Sequence, residues 1–382
     1  MIWVLVKIFM GVDVMSWQAY FPTKVFFGRG VINDQIKLLH SLGSKVLIVT
    51  GKGGSAIRNG ALEDVCRALE KASISWEIFN EVEPNPNIET VRQGAARASE
   101  MKADFIIGIG GGSPMDAAKA IAITNLAEIS DEELFELKYG DVLPIVLVPT
   151  TAGTGSEVTP ASILTSHKDQ TKRNIGSSKL VPSIAFLDSS YTSSLPWQIT
   201  ADTAVDAYSH AIESYLSKKN NTISSLFSQE AMKILGKELR IIAQKRKLTS
   251  ANRESLLYAS YLAGVAISLT GTSIPHAIGY SLTYYKGMPH GRANGVIMPS
   301  WMEFNYKMSK SDRITTALKV SSLASLAEFR DLMEILCGKT PACTLDEQNI
   351  FLKHALGTQN INNNIFIPRP EDIAEILAQC LS

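Results

Sequence analysis

A β-type run, DFIIGI at 104–109, passes straight into Gly110-Gly111-Gly112-Ser113-Pro114-Met115-Asp116 and then into the alanine-rich helical pattern AAKAIAI. Glycines let the backbone turn tightly, Ser113 is placed to cap the helix, Pro114 suits its first position, and Asp116 stands where a capping box takes a carboxylate. Two readings stay open for such a turn. One is a helix N-terminus whose N–H groups and dipole face a pyrophosphate in a crevice; the other is a well-capped strand-to-helix connection.

The surrounding pattern predicts an open α/β sheet. KVLIVT at 45–50 reads as a strand ending at Gly51, followed by Ile57, Ala61, Leu62, Val65 and Leu69 at helical spacing. Strands at 74–79, 104–109 and 144–148 alternate with helices at 87–101 and 114–124, which implies parallel pairing with helices on both faces. After 183–196 the strand signal fades, and stretches such as 200–216 and 254–269 carry helical periodicity. The expected organisation is an α/β nucleotide-type domain over 15–196 and a mostly α-helical domain over 197–382. Residues 1–14 read as an N-terminal extension, interrupted by Lys7 and Asp13, with neither the ~20 apolar residues of a membrane span nor a signal cleavage site. The alternating segment 15–27 reads as an edge strand that needs a partner or cover. The Asn-rich stretch 360–364 reads as an exposed loop.

Composition narrows the partners. Lysine plus arginine number 37 and aspartate plus glutamate 37, so the net charge is zero, which argues against broad binding of nucleic acid or an anionic membrane. Hydrophobic residues make up 45% and charged residues 19% of the 382, enough for a sizeable core in two or three domains. Four cysteines without CxxC spacing fit a reducing compartment, the cytoplasm.

A second loop, Pro149-Thr150-Thr151-Ala152-Gly153-Thr154-Gly155-Ser156-Glu157-Val158-Thr159, follows the strand at 144–148. It places small hydroxyls and glycines at the carboxyl end of a parallel strand, the edge where open α/β sheets bind ligands. Further on, Asp206 and His210 are four apart and share one side of a helix, opposite a stripe that includes Ala201, Ala204, Val205, Tyr208 and Ala211. A pair alone reads as a solvated face. Two further histidines change its meaning: His276 follows the nearly uncharged run LAGVAISLTGTSIP and needs a partner in the core, and His290 lies in the turn-rich GMPHGRANG. One carboxylate with three imidazoles suits Fe(II), Zn(II) or another divalent ion with a position left for substrate.

GGGSPMDAAKA, PTTAGTGSEVT, DAYSHAIE and HAIGYSLTYYKGMPHG together resemble the iron-containing (group III) alcohol dehydrogenases, of dehydroquinate-synthase-like fold, from about Met15 to the C-terminus. The resemblance implies a Rossmann-like dinucleotide-binding domain followed by an all-α metal- and substrate-binding domain. It puts the metal ligands on Asp206, His210, His276 and His290, with Fe(II) as the metal and Zn(II) as the alternative. The cofactor contacts fall on Gly110, Gly111, Gly112, Ser113, Asp116, Thr150, Thr151, Thr154 and Ser156, with Lys172 at the family's lysine position. The implied reaction is hydride transfer between a short primary alcohol or diol, or the matching aldehyde, and NAD(P), in a homodimer or larger assembly. A polyol, hydroxy-acid or sugar-phosphate dehydrogenase is the alternative within the fold, the last drawing on Arg173 or Arg292; a non-catalytic metal- or nucleotide-binding relative is the alternative outside enzymes.

Two departures stand out. Where many members carry an acidic residue for the adenosine ribose, this chain has Gly51 followed by Lys52, with Ser55 and Arg58 close behind. Loss of a carboxylate and gain of a lysine predict NADP(H) over NAD(H), with Gly51 and Lys52 at the cofactor. Where many members carry a second histidine four residues after the third ligand, this chain has Tyr280.

Overall fold

The computed structural model describes residues 17–308 and 312–381. The extension expected at 1–14, and the start of the segment expected at 15–27, lie outside the described residues. The first half forms a six-stranded parallel sheet. Its strands are β1 (Lys24–Phe27), β2 (Lys45–Gly51), β3 (Ser75–Val82), β4 (Phe105–Gly110), β5 (Ile145–Pro149) and, after a two-stranded hairpin β6 (Ile163–Ser166) and β7 (Thr171–Asn174), β8 (Ile184–Leu187). The order is β1-β8-β5-β4-β2-β3, so the chain reverses direction across the sheet between β2 and β4. That reversal opens a crevice at the carboxyl ends of the strands.

Strand alternation explains why helices cover both faces. Leu47, Val49, Ile106 and Leu147 point to one side, where they meet α2 (Ile88–Glu100) and α3 (Gly112–Ile121). Val46, Ile48, Ile107 and Val146 point to the other and meet α1 (Ala61–Lys71).

The second half is built from α4 (Trp197–Tyr215), α5 (Thr222–Ala243), α6 (Ser250–Thr270), α7 (Ile274–Lys286), α8 (His290–Met308) and four further helices at Arg313–Val320, Leu326–Cys337, Leu345–Leu356 and Pro370–Leu381. Their shared core centres on α4, buried at every residue from Thr200 to Tyr215 except Thr203. No single helix among the described residues is long and apolar enough to cross a membrane.

Four expectations need correction. Ser113 does not cap α3: the N-cap is Gly111, no side chain caps this end, and the Ser113 hydroxyl accepts from the Asn85 N–H (3.1 Å) instead. Asp116 forms no capping box, because its carboxylate is turned inward onto Ser156 and Ile163. Of the segment expected as an edge strand, only Lys24–Phe27 is a strand, at the sheet edge beside β8; residues 17–23 are irregular. The Asn-rich stretch is not an exposed loop. Asn360–Asn363 form a turn of 3₁₀ helix, Asn363 and Asn364 are buried, and Asn364 accepts from Trp301 Nε1 (2.8 Å) while donating to Asn305 (2.9 Å). These amide side chains pair with polar side chains inside the core, which composition alone does not reveal. The hairpin β6–β7 was not anticipated either; its strands are four residues each and TKRN carries no β-type pattern.

Candidate metal centre and dinucleotide crevice

Four helix positions converge behind the crevice. Asp206 and His210 project from adjacent turns of α4, His276 from the first turn of α7, and His290 opens α8. Ligand atoms of Asp206, His276 and His290 all lie within 4.8 Å of one another. Asp206 Oδ1 is 3.7 Å from His276 Nε2 and 3.8 Å from both His210 Nε2 and His290 Nε2. His210 joins through His276, with the two Nε2 atoms 3.0 Å apart.

The ring orientations follow from outward contacts. His210 Nδ1 faces the Gly153 carbonyl (3.2 Å), which can only accept, so that nitrogen carries the proton and Nε2 keeps its lone pair. His276 Nδ1 faces Glu213 Oε1 (2.6 Å), and Glu213 takes the Ser273 N–H on its other oxygen. A carboxylate behind an imidazole fixes its tautomer and raises its basicity toward a metal. Asn294 Nδ2 donates to Asp206 Oδ1 (3.0 Å) and sits 3.1 Å from His276 Nε2.

Burial and charge pull in opposite directions here. Burial pushes the Asp206 carboxyl up, but His210, His290 and His276 together bring it below its ordinary value. Burial lowers His210, and lowers His290 strongly. For His276 the neighbouring Glu213 outweighs burial and raises it. A buried carboxylate facing nitrogen lone pairs only 3.0 Å apart is a donor set that fits a divalent cation. The residues that could hold it are Asp206, His210, His276 and His290.

The crevice is made of backbone. Gly110 has φ +153°, a conformation that favours glycine. A Cβ on Gly112 would stand 2.8 Å from Thr154 Cγ2, so the turn after β4 and the loop after β5 touch. Thr150 N–H donates to Gly110 O (2.8 Å), and the Thr151 hydroxyl is buried between the loops without a partner among the described residues. The uncapped N-terminus of α3 and this orphan hydroxyl fit an anionic group such as a pyrophosphate.

Inside the crevice the two loops are tied by Lys119. Its fully buried ammonium donates to Ser156 Oγ (2.8 Å), Thr159 O (2.8 Å) and Ala161 O (2.7 Å), which uses all three protons. Ser156 Oγ in turn donates to Asp116 (2.7 Å). Burial lowers Lys119 to about 8 and raises Asp116. Asp116 and Ser156 thus lie beneath the loops and bond to each other. Lys172, on β7, is likewise lowered to about 8 by burial, against the pull of Asp116 beneath the crevice and Asp206 in the cluster.

Gly51 ends β2 beside Pro114, and Lys52 is flanked by Glu83 (3.4 Å) and Glu81 (3.9 Å), all three exposed. Arg58 turns back onto the Gly53 carbonyl (2.6 Å). Sequence reasoning missed Glu213, Asn294, Lys119 and the Gly153 carbonyl. Glu213 had a signal, because it lies three residues beyond His210 on the same helix and His276 needed a partner.

Two family models and several solved structures match this chain. The family described as "Iron-containing alcohol dehydrogenase" matches residues 22–189, and "Fe-containing alcohol dehydrogenase family, C-terminal" matches residues 200–380. A crystal structure of an iron-containing alcohol dehydrogenase from Thermotoga maritima superposes with a TM-score of 0.88 at 37% identity, covering 96% of this chain and 99% of that one. A 1,3-propanediol dehydrogenase of Klebsiella pneumoniae is 36% identical over 290 residues, 74% of each chain. An NADPH-dependent butanol dehydrogenase of Clostridium saccharobutylicum is 32% identical over 310 residues, 79% of this chain and 77% of that one.

Proposed function

The chain belongs to the iron-containing alcohol dehydrogenase family, and from that premise we propose that this oxidoreductase interconverts a short primary alcohol or diol and the matching aldehyde, with NADP(H) preferred over NAD(H). The observation that carries the reading is the hydrogen bond from His210 to the Gly153 carbonyl, which links the metal cluster to the crevice loop.

When bound, a divalent cation supplies Lewis acidity toward an alcohol or carbonyl oxygen, and the nicotinamide supplies the two-electron acceptor or donor. The chain's own residues orient and exclude. Glu213 and the Gly153 carbonyl hold the Nδ1 protons of His276 and His210, so each Nε2 keeps a lone pair toward the centre. Asn294 fixes Asp206 Oδ1. Gly110, Gly111, Gly112, Ser113, Thr150, Thr151 and Thr154 would line the dinucleotide's path, Asp116 and Ser156 would brace these loops from beneath, and Lys172 would stand near both cofactor and metal.

Two arginines that could have served a phosphorylated substrate are committed. Arg292 forms a two-pronged pair with Asp202 (2.9 and 3.0 Å), and Arg173 pairs with Asp169 (2.9 Å) while lying over the Phe135 ring. That favours a small uncharged substrate over a sugar phosphate.

Gly51 supports NADP(H) by leaving the ribose without a competing carboxylate. Glu81 and Glu83 temper the pull of Lys52, so the preference is modest. The functional division follows the same line, with 15–196 binding the dinucleotide and 197–382 the metal and substrate. Fe(II) is the proposed metal, with Zn(II) as its competitor. The open edge of β1, with Trp17, Tyr20, Phe21 and Phe27 exposed around it, supports a homodimer or larger. The four free thiols suit the cytoplasm.

The test is a panel of short aldehydes, diols and sugar phosphates assayed with NADPH and NADH after anaerobic loading with Fe(II). Turnover of short aldehydes with NADPH is expected. Turnover confined to phosphorylated or hydroxy-acid substrates would replace the reading.

A further inference from the structure

The three histidines of the cluster are not held alike. His210 is anchored through Nδ1 by the Gly153 carbonyl, and His276 through Nδ1 by Glu213. The Nδ1 of His290 is buried and makes no hydrogen bond to any described residue. The ring's one hydrogen-bond contact among the described residues is at the other nitrogen, where Asn294 Nδ2 stands at the long distance of 3.5 Å, so nothing behind the ring sets its plane, yet Nε2 must stay near Asp206, 3.8 Å away.

One side chain takes up that task. The Tyr280 ring stands parallel to and offset from His290, with centroids 5.6 Å apart and planes 13° from parallel. The same ring meets His276 edge-on at 6.4 Å and 83°. Tyr280 stands one helical turn after His276 on α7, with Asn360 near its phenol. Asn360 is in turn bonded to Thr272 (3.0 Å) at the junction between α6 and α7.

We propose that Tyr280 is the positioning residue for His290, fixing the imidazole plane by stacking where the other two histidines are fixed by hydrogen bonds. The assignment rests on the reading of this cluster as a metal centre. It gives the ring, not the hydroxyl, the decisive part.

The experiment measures metal uptake rather than turnover. Wild type, Tyr280→Phe and Tyr280→Leu are stripped of metal and titrated with Co(II) under argon, recording affinity against a chromophoric chelator and the visible spectrum of the bound ion. Tyr280→Phe keeps the stack and is expected to match wild type in both. Tyr280→Leu removes it and is expected to bind about 10–100-fold more weakly, the usual range for loss of a supporting partner, with an altered spectrum. Equal affinity and identical spectra in all three proteins would overturn the assignment. A loss in Tyr280→Phe would also overturn it, by moving the role to the hydroxyl, and this arm stands even if Tyr280→Leu does not fold. Wild type that takes up no Co(II) would remove the metal reading itself, and the assignment with it.

Discussion

The dinucleotide crevice is built from backbone and from side chains that are missing, whereas the cluster behind it is built from side chains that are present and buried. At Gly112 and Gly153 the space for a Cβ is already taken, by Thr154 Cγ2 at 2.8 Å and Thr203 Cβ at 2.8 Å. In the cluster, Asp206, His210 and His276 are each less than 5% exposed, and Glu213 behind them is fully buried. The difference teaches how each part fails. The crevice breaks when atoms are added, and the cluster breaks when atoms are taken away.

The largest expected effect comes from taking away. Asp206→Ala should abolish stoichiometric metal binding and lower kcat/KM about 10³-fold or more, the scale of several kcal/mol of Lewis-acid stabilisation. Elemental analysis alongside steady-state assays checks it, and cofactor binding should survive. Adding atoms should do the reverse. Gly112→Val should raise KM for the cofactor by about tenfold or more while leaving metal content at wild-type level, because the new side chain drives the two loops apart. A valine that cost metal and spared the cofactor would break the distinction.

A third prediction concerns Glu157, buried in the loop after β5. Burial lifts the Glu157 carboxyl to about 7 from an ordinary 4.5. The folded chain therefore holds this proton more tightly than the unfolded one. Its contribution is fully present below pH 4.5 and is lost as pH rises to about 7. Glu157→Gln stays neutral throughout, so it should match wild type near the lower pH and exceed it at pH 8 by up to about 3 kcal/mol in urea unfolding. A variant no more stable than wild type at the higher pH would show that Glu157 is not held in a dry site.

The smallest effect lies at the outer end of the crevice. Gly51→Asp adds a carboxylate beside two exposed ones and should move the NADPH/NADH ratio of kcat/KM toward NADH by about tenfold or less, since exposed charges are screened. An unchanged ratio would make Gly51 a turn residue only.

The same contrast decides how much was legible beforehand. Alternating strands and helices, the glycine turn and the helical second half can be read from the residues because local pattern produces them. The candidate ligands Asp206, His210, His276 and His290 can be read because histidines are few and their settings unusual. What holds those ligands could not be read. Glu213, Asn294 and the Gly153 carbonyl act across 57 to 88 residues of chain, and only the packing of α4, α7, α8 and the loop after β5 brings them to the cluster. Ser113 and Asp116 misled for the complementary reason. A local capping rule fitted them, but tertiary partners, Asn85 for one and Ser156 for the other, claimed their side chains.

The central claim is that the Asp206–His210–His276–His290 cluster holds a metal on which alcohol–aldehyde interconversion depends. Metal-stripped protein assayed anaerobically with NADPH and a short aldehyde tests it most directly. Activity should fall to background and return with one equivalent of Fe(II) per chain; full-rate reduction by the stripped protein would contradict the claim.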